Sequence, residues 1–178
     1  ALLDFQFEVL TTYFNDGNRK PERSSYNNAH AYLSAPYGIY KTANGYIAIA
    51  MTPLPQLGEL LDLNSIKDLH DQKEWFTKRD EIKKDIGDWI EKQTTEHWLS
   101  ILEPADIWCA KVLDWETMVK HEGFKILDMV QRIKRDDGLD IETLRCPIKI
   151  DGEIFKSSKA APKIGNDNNS IMKEFGIS

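Results

Sequence analysis

Cysteine is scarce in this chain. Among 178 residues only Cys109 and Cys146 occur, neither in a metal-type pair, which fits buried or idle thiols in a reducing compartment. Long apolar runs are missing, so nothing reads as a membrane span, and no basic, apolar, small-residue series marks a signal peptide. There is no basic excess either. The formal charge is −6, and Lys78, Arg79 and Lys83 are interleaved with Asp80 and Glu81, which argues against nucleic acid or an anionic membrane as partner. The expected location is the cytoplasm. No phosphate-cradling glycine loop, nucleophile-elbow serine or paired thiols occur. His30, His70, His97 and His121 are dispersed without metal-type spacing, so surface or capping roles are expected and no metal. By pattern alone the chain reads as a binding or accessory domain.

With 41% hydrophobic residues, the chain can bury one ordinary core and an appendage. Its opening, ALLDFQFEVLTTYF, has no initiator Met and no capping residue before its first turn. Leu2, Leu3, Phe5, Phe7, Val9, Leu10, Tyr13 and Phe14 cover too much of a helical circumference for one exposed face. The expectation is a helix entered partway along, with upstream sequence removed. Asp4 is its only acid before Glu8, a catalytic candidate weighed against a plain first-turn acid favoured by the helix dipole.

Asn15, Asp16 and Gly17 should close this helix with a left-handed turn. Residues 18–34 read as a polar, irregular linker. From Gly38 to Met51, aromatic and β-branched residues flank Asn44-Gly45, the pair expected at the centre of a tight hairpin turn. Thr52-Pro53 can start a short helix through Asp62. Trp75, Phe76, Ile82, Ile86, Trp89 and Ile90 fit one longer helix over 73–93. A further helix, Glu96 to Leu102, is expected with Thr95 as cap, then a strand over Ile107–Val112 and a helix capped by Asp114. Met129–Lys134 and Leu139–Ile150 read as extended segments around Asp136, Asp137 and Gly138, and a short helix from about Asn169 to Phe175 should stop at Gly176. Trp75, Trp89, Trp98, Trp108 and Trp115 could form a ligand-stacking surface, but their helical spacing and strand neighbours favour core, most of all for the first three.

The string APYGIYKTANGYIAIA, residues 35–50, resembles a recurrent segment of the family III (CaiB/BaiF) CoA-transferases, the group that includes formyl-CoA and carnitine CoA-transferases. Four more stretches agree in order: ALLDFQFEVL with the helix after the family's catalytic acid, IWCAKVLDWETM at 107–118, RCPIKI at 145–150, and APKIGNDNNSIMKEFGIS at 161–178. Two departures stand out. Asn166, Asp167 and Asn168 replace the usual Glu-His-Thr of the closing motif, leaving Asn168 as a possible cap. NAHAYLSAP stands where the formyl-CoA enzymes carry a glycine-rich lid, which disfavours a formyl or oxalyl substrate.

The resemblance implies an α+β chain within an α/β family fold. Residues 1–23 would be a helix and linker remnant of a large domain, 24–122 a small domain with a hairpin-containing sheet, and 123–178 a returning C-terminal segment. It also implies an interlocked homodimer, coenzyme A as substrate rather than bound cofactor, and acyl-CoA and carboxylic acid partners. The acidic nucleophile would lie just upstream of Ala1, with none in this chain. His30, Tyr32, Ser34 and Tyr37 beside the expected lid are the candidates for substrate contact, against a loop packing on its own hairpin. The α-methylacyl-CoA racemases share the fold, and a stand-alone interaction module is the reading from a different class.

Overall fold

Alternation of apolar residues around Pro36 produces the sheet on which the first half of the chain is built. In a computed structural model, which describes residues 6–26, 30–135 and 137–177, the strands β1 (Gly38–Thr42), β2 (Gly45–Ile49) and β3 (Cys109–Lys111) form an antiparallel sheet in that order. Tyr40, Thr42, Ile47 and Ile49 point inward and are buried. Nine α-helices and three small antiparallel sheets among the described residues make the fold α+β, as expected. The chain divides into two compact units, Ala1–Val112 and Leu113–Ser178.

In the first unit, α1 (Phe7–Asn15) ends where Gly17 and Asn18 take positive φ, as the sequence requires. α2 (Leu54–Leu61) buries Leu54, Leu57, Gly58 and Leu61, one stripe at three- and four-residue steps, and Asp62 closes it in the left-handed region. α3 (Asn64–Lys67) follows at once and adds Ile66 to the core. The stripe of α5 (Arg79–Ile90), with Ile82, Ile86 and Ile90, and that of α6 (Thr95–Leu102), with Trp98 and Leu102, complete it. Each such fully buried aliphatic side chain contributes about 1.5–3 kcal/mol against backbone and side-chain entropy.

Three local expectations change. The hairpin register pairs Thr42 with Gly45, so the loop is Ala43-Asn44, Gly45 belongs to β2, and neither Asn44 nor Gly45 has positive φ. The reason is tertiary. The Asn44 side chain turns onto α6, where its carbonyl accepts the Thr95 amide (2.8 Å) and its amide donates to Glu96 (2.7 Å). Glu96 in turn accepts from Lys111 of β3 (2.8 Å), so Asn44 ties the turn to the helix and the far strand. The cap of α6 is Thr94, whose hydroxyl accepts the His97 amide, while Thr95 is buried against the Thr42 hydroxyl at 2.7 Å. The single helix expected over 73–93 is two: α4 (Gln72–Thr77) and α5 meet at Lys78, which leaves helical geometry at φ −102°, ψ 17°. Just before that break the Thr77 hydroxyl bonds back to the Lys73 carbonyl.

Of the tryptophans, Trp98 is buried and Trp75 and Trp89 are half-buried, each donating its indole N–H to a backbone carbonyl at 2.7 Å. Trp108 and Trp115 are instead 69% and 81% exposed. Trp108 stands just before β3 and Trp115 on the first turn of a six-residue helix, elements too short to bury a large side chain by themselves.

The second unit contains α7 (Trp115–Lys120), capped by Asp114 as expected, α8 (Glu122–Ile126), the hairpin β4 (Val130–Lys134) with β5 (Asp140–Leu144), the two-residue pair β6 (Lys149–Ile150) with β7 (Glu153–Ile154), and α9 (Asn168–Phe175). What read as one extended stretch to Ile150 is broken at residues 145–148, between β5 and β6. Gly176 stops α9 with φ +61°, but the preceding Asp167 makes no side-chain cap. Among the described residues this unit buries no apolar side chain, and its one buried residue is Arg145. The Arg145 guanidinium donates to the carbonyls of Leu127, Asp128 and Cys146 at 2.6–2.9 Å, so charge-assisted hydrogen bonds hold the start of β4 to the end of β5.

Candidate substrate-facing site

A polar segment without regular structure has backbone groups that must find partners elsewhere. Residues 18–36, where described, form such a strap, and α4 and α5 supply the partners. Arg79 donates to the carbonyls of Glu22 (2.6 Å) and Ala31 (3.0 Å), with its guanidinium 4.4 Å from the Phe76 ring centre. Asp80 accepts from the Ser24 hydroxyl (2.6 Å), the Ser25 amide (3.0 Å) and the Ser25 hydroxyl. The Ala35 amide donates to the Trp75 carbonyl (3.0 Å), and the buried Tyr40 hydroxyl to the Pro36 carbonyl. Burial raises the Tyr40 pKa, which keeps that phenol a neutral donor.

The four substrate-contact candidates lie on this strap and at its exit. His30 is half-buried, and its Nδ1 accepts the Tyr32 amide (3.1 Å) with the rings tilted at 6.3 Å. Ser34 is half-buried, and its carbonyl accepts the Tyr37 amide (3.2 Å). Tyr37 is exposed. Tyr32 enters a cleft of about 230 Å³ with Asp16, Arg19, Phe76 and Arg79, which His30, Ser34 and Tyr37 do not line. Asp4 lies outside the described residues, as do Asn27, Asn28 and Ala29 of the strap.

Sequence reasoning missed the α5 residues that face the strap. Arg79, Asp80 and Lys83 read as part of an alternating, solvated charge pattern, and only their wide separation from residues 22–31 hides the pairing. Lys83 is 1% exposed and its Nζ has no hydrogen-bond partner among the described residues. Burial and the nearby Arg79 charge draw its ammonium below the ordinary lysine range.

Asp80 shows the opposite balance. Burial alone would raise it, but the donors from Ser24 and Ser25 outweigh that and bring it to about 2. Its folded-state value therefore lies below its ordinary 3.8, so its contribution is present above that value and is lost as pH falls towards about 2. We expect the stability difference between wild type and Asp80→Asn to shrink from on the order of 1 kcal/mol near neutral pH towards zero at about pH 2, since the group is partly exposed. Urea midpoints across that range check this, and a difference independent of pH would contradict it.

Among the described residues no group of three His, Cys, Asp or Glu could hold a metal ion, and no helix is long and apolar enough to cross a membrane. Cys109 is half-buried, with its thiol pushed up by burial, whereas Cys146 is exposed, and both are free.

The family model described as CoA-transferase family III matches residues 1–168. The chain belongs to CoA-transferase family III. Human alpha-methylacyl-CoA racemase is 26% identical over 148 residues, covering 80% of this chain and 37% of that protein. A CAIB/BAIF family protein from Brucella suis matches with a TM-score of 0.60 at 19% identity, over 95% of this chain and 44% of the other. Rv3272 from Mycobacterium tuberculosis, in its orthorhombic form, matches at 0.57 and 18% identity, over 94% and 44%. These structural likenesses carry the fold. This family III chain spans less than half the length of each of these three proteins.

Proposed function

We propose that this chain is part of an acyl-CoA transferase that moves CoA between an acyl-CoA donor and a carboxylic acid acceptor. The match to the family over residues 1–168, nearly the whole chain, carries the reading. In it, an acidic nucleophile on a large domain outside these residues attacks the donor thioester, giving a mixed anhydride and CoA thiolate. The thiolate then attacks the anhydride, releasing the donor acid and leaving an enzyme-CoA thioester. Residues 24–122 serve as the small domain over the cleft, although the break between compact units falls earlier, between Val112 and Leu113. The strap at residues 18–36 is the element that meets substrate, through Tyr32 first, with His30, Ser34 and Tyr37 beside it. Coenzyme A is substrate rather than resident cofactor, and the whole enzyme works in the cytoplasm as an interlocked homodimer. Excluding water from the covered cleft protects both acyl intermediates from hydrolysis.

A second reading is favoured by the 26% identity to a racemase. Proton abstraction beside the thioester carbonyl would then replace acyl transfer. One pair of measurements separates the two: CoA exchange between acyl-CoA donors and free carboxylates, and deuterium uptake from heavy water at the carbon next to the thioester. We expect exchange, trapped by hydroxylamine at the acyl-enzyme, from a protein carrying the large domain. Deuterium uptake without exchange would establish the racemase reading instead. The 178-residue chain alone is expected to give neither, and turnover abolished by Asp4→Asn would overturn that expectation and make Asp4 the nucleophile.

A further inference from the structure

On α5, Arg79, Lys83 and Gly87 follow one another at four-residue steps and so form a single row. Both ends of this row touch the strap. Arg79 holds the carbonyls of Glu22 and Ala31, and Tyr26 is seated so close over Gly87 that a Cβ there would lie 1.9 Å from the Tyr26 hydroxyl. Lys83, between them, is thus covered by the same segment, at 1% exposure. Its ammonium is left without a hydrogen-bond partner among the described residues: the neighbouring Asp80 attracts it across space, but the hydrogen bonds of that carboxylate go to Ser24 and Ser25. The other buried side-chain polar atom without a partner among the described residues is the Tyr32 hydroxyl, on the same strap and beside Arg79. A buried ammonium that makes no hydrogen bond is unfavourable, and it is relieved either by losing its proton or by gaining an acceptor such as an anion.

We propose that Lys83 is the cation of a recognition site for a small monocarboxylate admitted beneath the strap. This deepens the transferase reading and rests on it, because that reaction requires an acceptor that arrives as a free carboxylate. A monoanion fits better than a phosphate dianion for two reasons. Lys83 is a single cation whose neighbour Arg79 is already committed to backbone carbonyls and the Phe76 ring. The Asp80 carboxylate close by also repels a second negative charge. Burial and the Arg79 charge lower the Lys83 pKa by more than the Asp80 charge raises it, so the charged form gains from a further anion.

The test uses the full chain labelled with 13Cε-lysine, the Lys83 resonance being assigned by its loss in Lys83→Met. Sodium acetate at saturation is expected to raise the Lys83 titration midpoint by about one unit, a tenfold gain in proton affinity, while sodium chloride at equal ionic strength leaves it in place. Phosphate should act like chloride. Lys83→Met is expected to fold, since it fills similar space without charge, and to abolish acetate binding measured by calorimetry. If Lys83→Met does not fold, Lys83→Gln provides the same comparison. An unchanged midpoint in acetate, an equal shift in chloride, or acetate binding retained in the folded variant would each overturn the site. Acetate linkage at Lys83 together with no CoA exchange from a protein carrying the large domain would remove the transferase reading and leave the carboxylate site standing.

Discussion

Trp98→Ala is expected to lower the stability of the first unit by about 3–5 kcal/mol, the largest loss of any single side chain there. The indole is 4% exposed and stands among Ile90, Leu102 and the inner face of the sheet, so truncation leaves a cavity that α5 and α6 cannot jointly close. It also removes the donor to the Ile90 carbonyl at 2.7 Å, one of the last acceptors of α5. That carbonyl keeps only the longer bond from the Gln93 amide (3.3 Å), which allows two contributions to be separated. Trp98→Phe keeps most of the volume but not the N–H, and should cost about 1–3 kcal/mol from the lost hydrogen bond and altered packing. Trp115→Ala, at a residue 81% exposed, should stay within about 0.5 kcal/mol. Urea midpoints at unchanged slope measure all three. Equal losses for Trp98→Ala and Trp115→Ala would mean that the core is misplaced.

The contrast between these tryptophans also marks what sequence reasoning could reach. A 3.6-residue rhythm identified α5 and α6 as buried helices, because the residues that bury them lie on the helices themselves. Asp114, Gly17 and Gly176 were readable for the same reason: a cap or a left-handed stop is settled within one turn of chain. Asn44 was not. As a short polar residue before glycine it carries the signature of a primed turn, but a helix fifty residues away recruits its side chain, and the local preference gives way. Trp108 and Trp115 failed differently, since an apolar residue on a short element goes inside only if another layer covers it. At the candidate site, the strap was visible as a polar linker and Tyr32 as a candidate within it. Its counterpart on α5 was not visible, because Lys83 stands in a run of alternating charges whose usual fate is solvent. Asp4 lies outside the described residues and contributes nothing to this comparison.

Gly87→Ala is expected to destabilise the first unit by about 1–3 kcal/mol, the reverse of what a helix interior ordinarily gives. Alanine is the better helix former by about 1 kcal/mol, and Gly87 has negative φ, so the backbone itself would welcome the change. The obstacle is Tyr26. A Cβ on Gly87 would lie 1.9 Å from its hydroxyl oxygen and 2.8 Å from the ring carbon bearing it, so the tyrosine must leave its seat. Tyr26 follows directly on Ser24 and Ser25, which Asp80 holds, so displacing it pulls on the strap where it is pinned and uncovers the Lys83 row. Faster amide exchange at Ser25 and Ala31 than at Ile47 should accompany the loss of stability. The double variant decides whether the clash is the cause. Tyr26→Ala alone loses the packing of the ring, but with that ring gone, adding Gly87→Ala should stabilise rather than destabilise, by the ordinary helix preference of alanine. A Gly87→Ala change that costs as much in the Tyr26→Ala background as in the wild type would show that the strap does not seat on α5 through this contact.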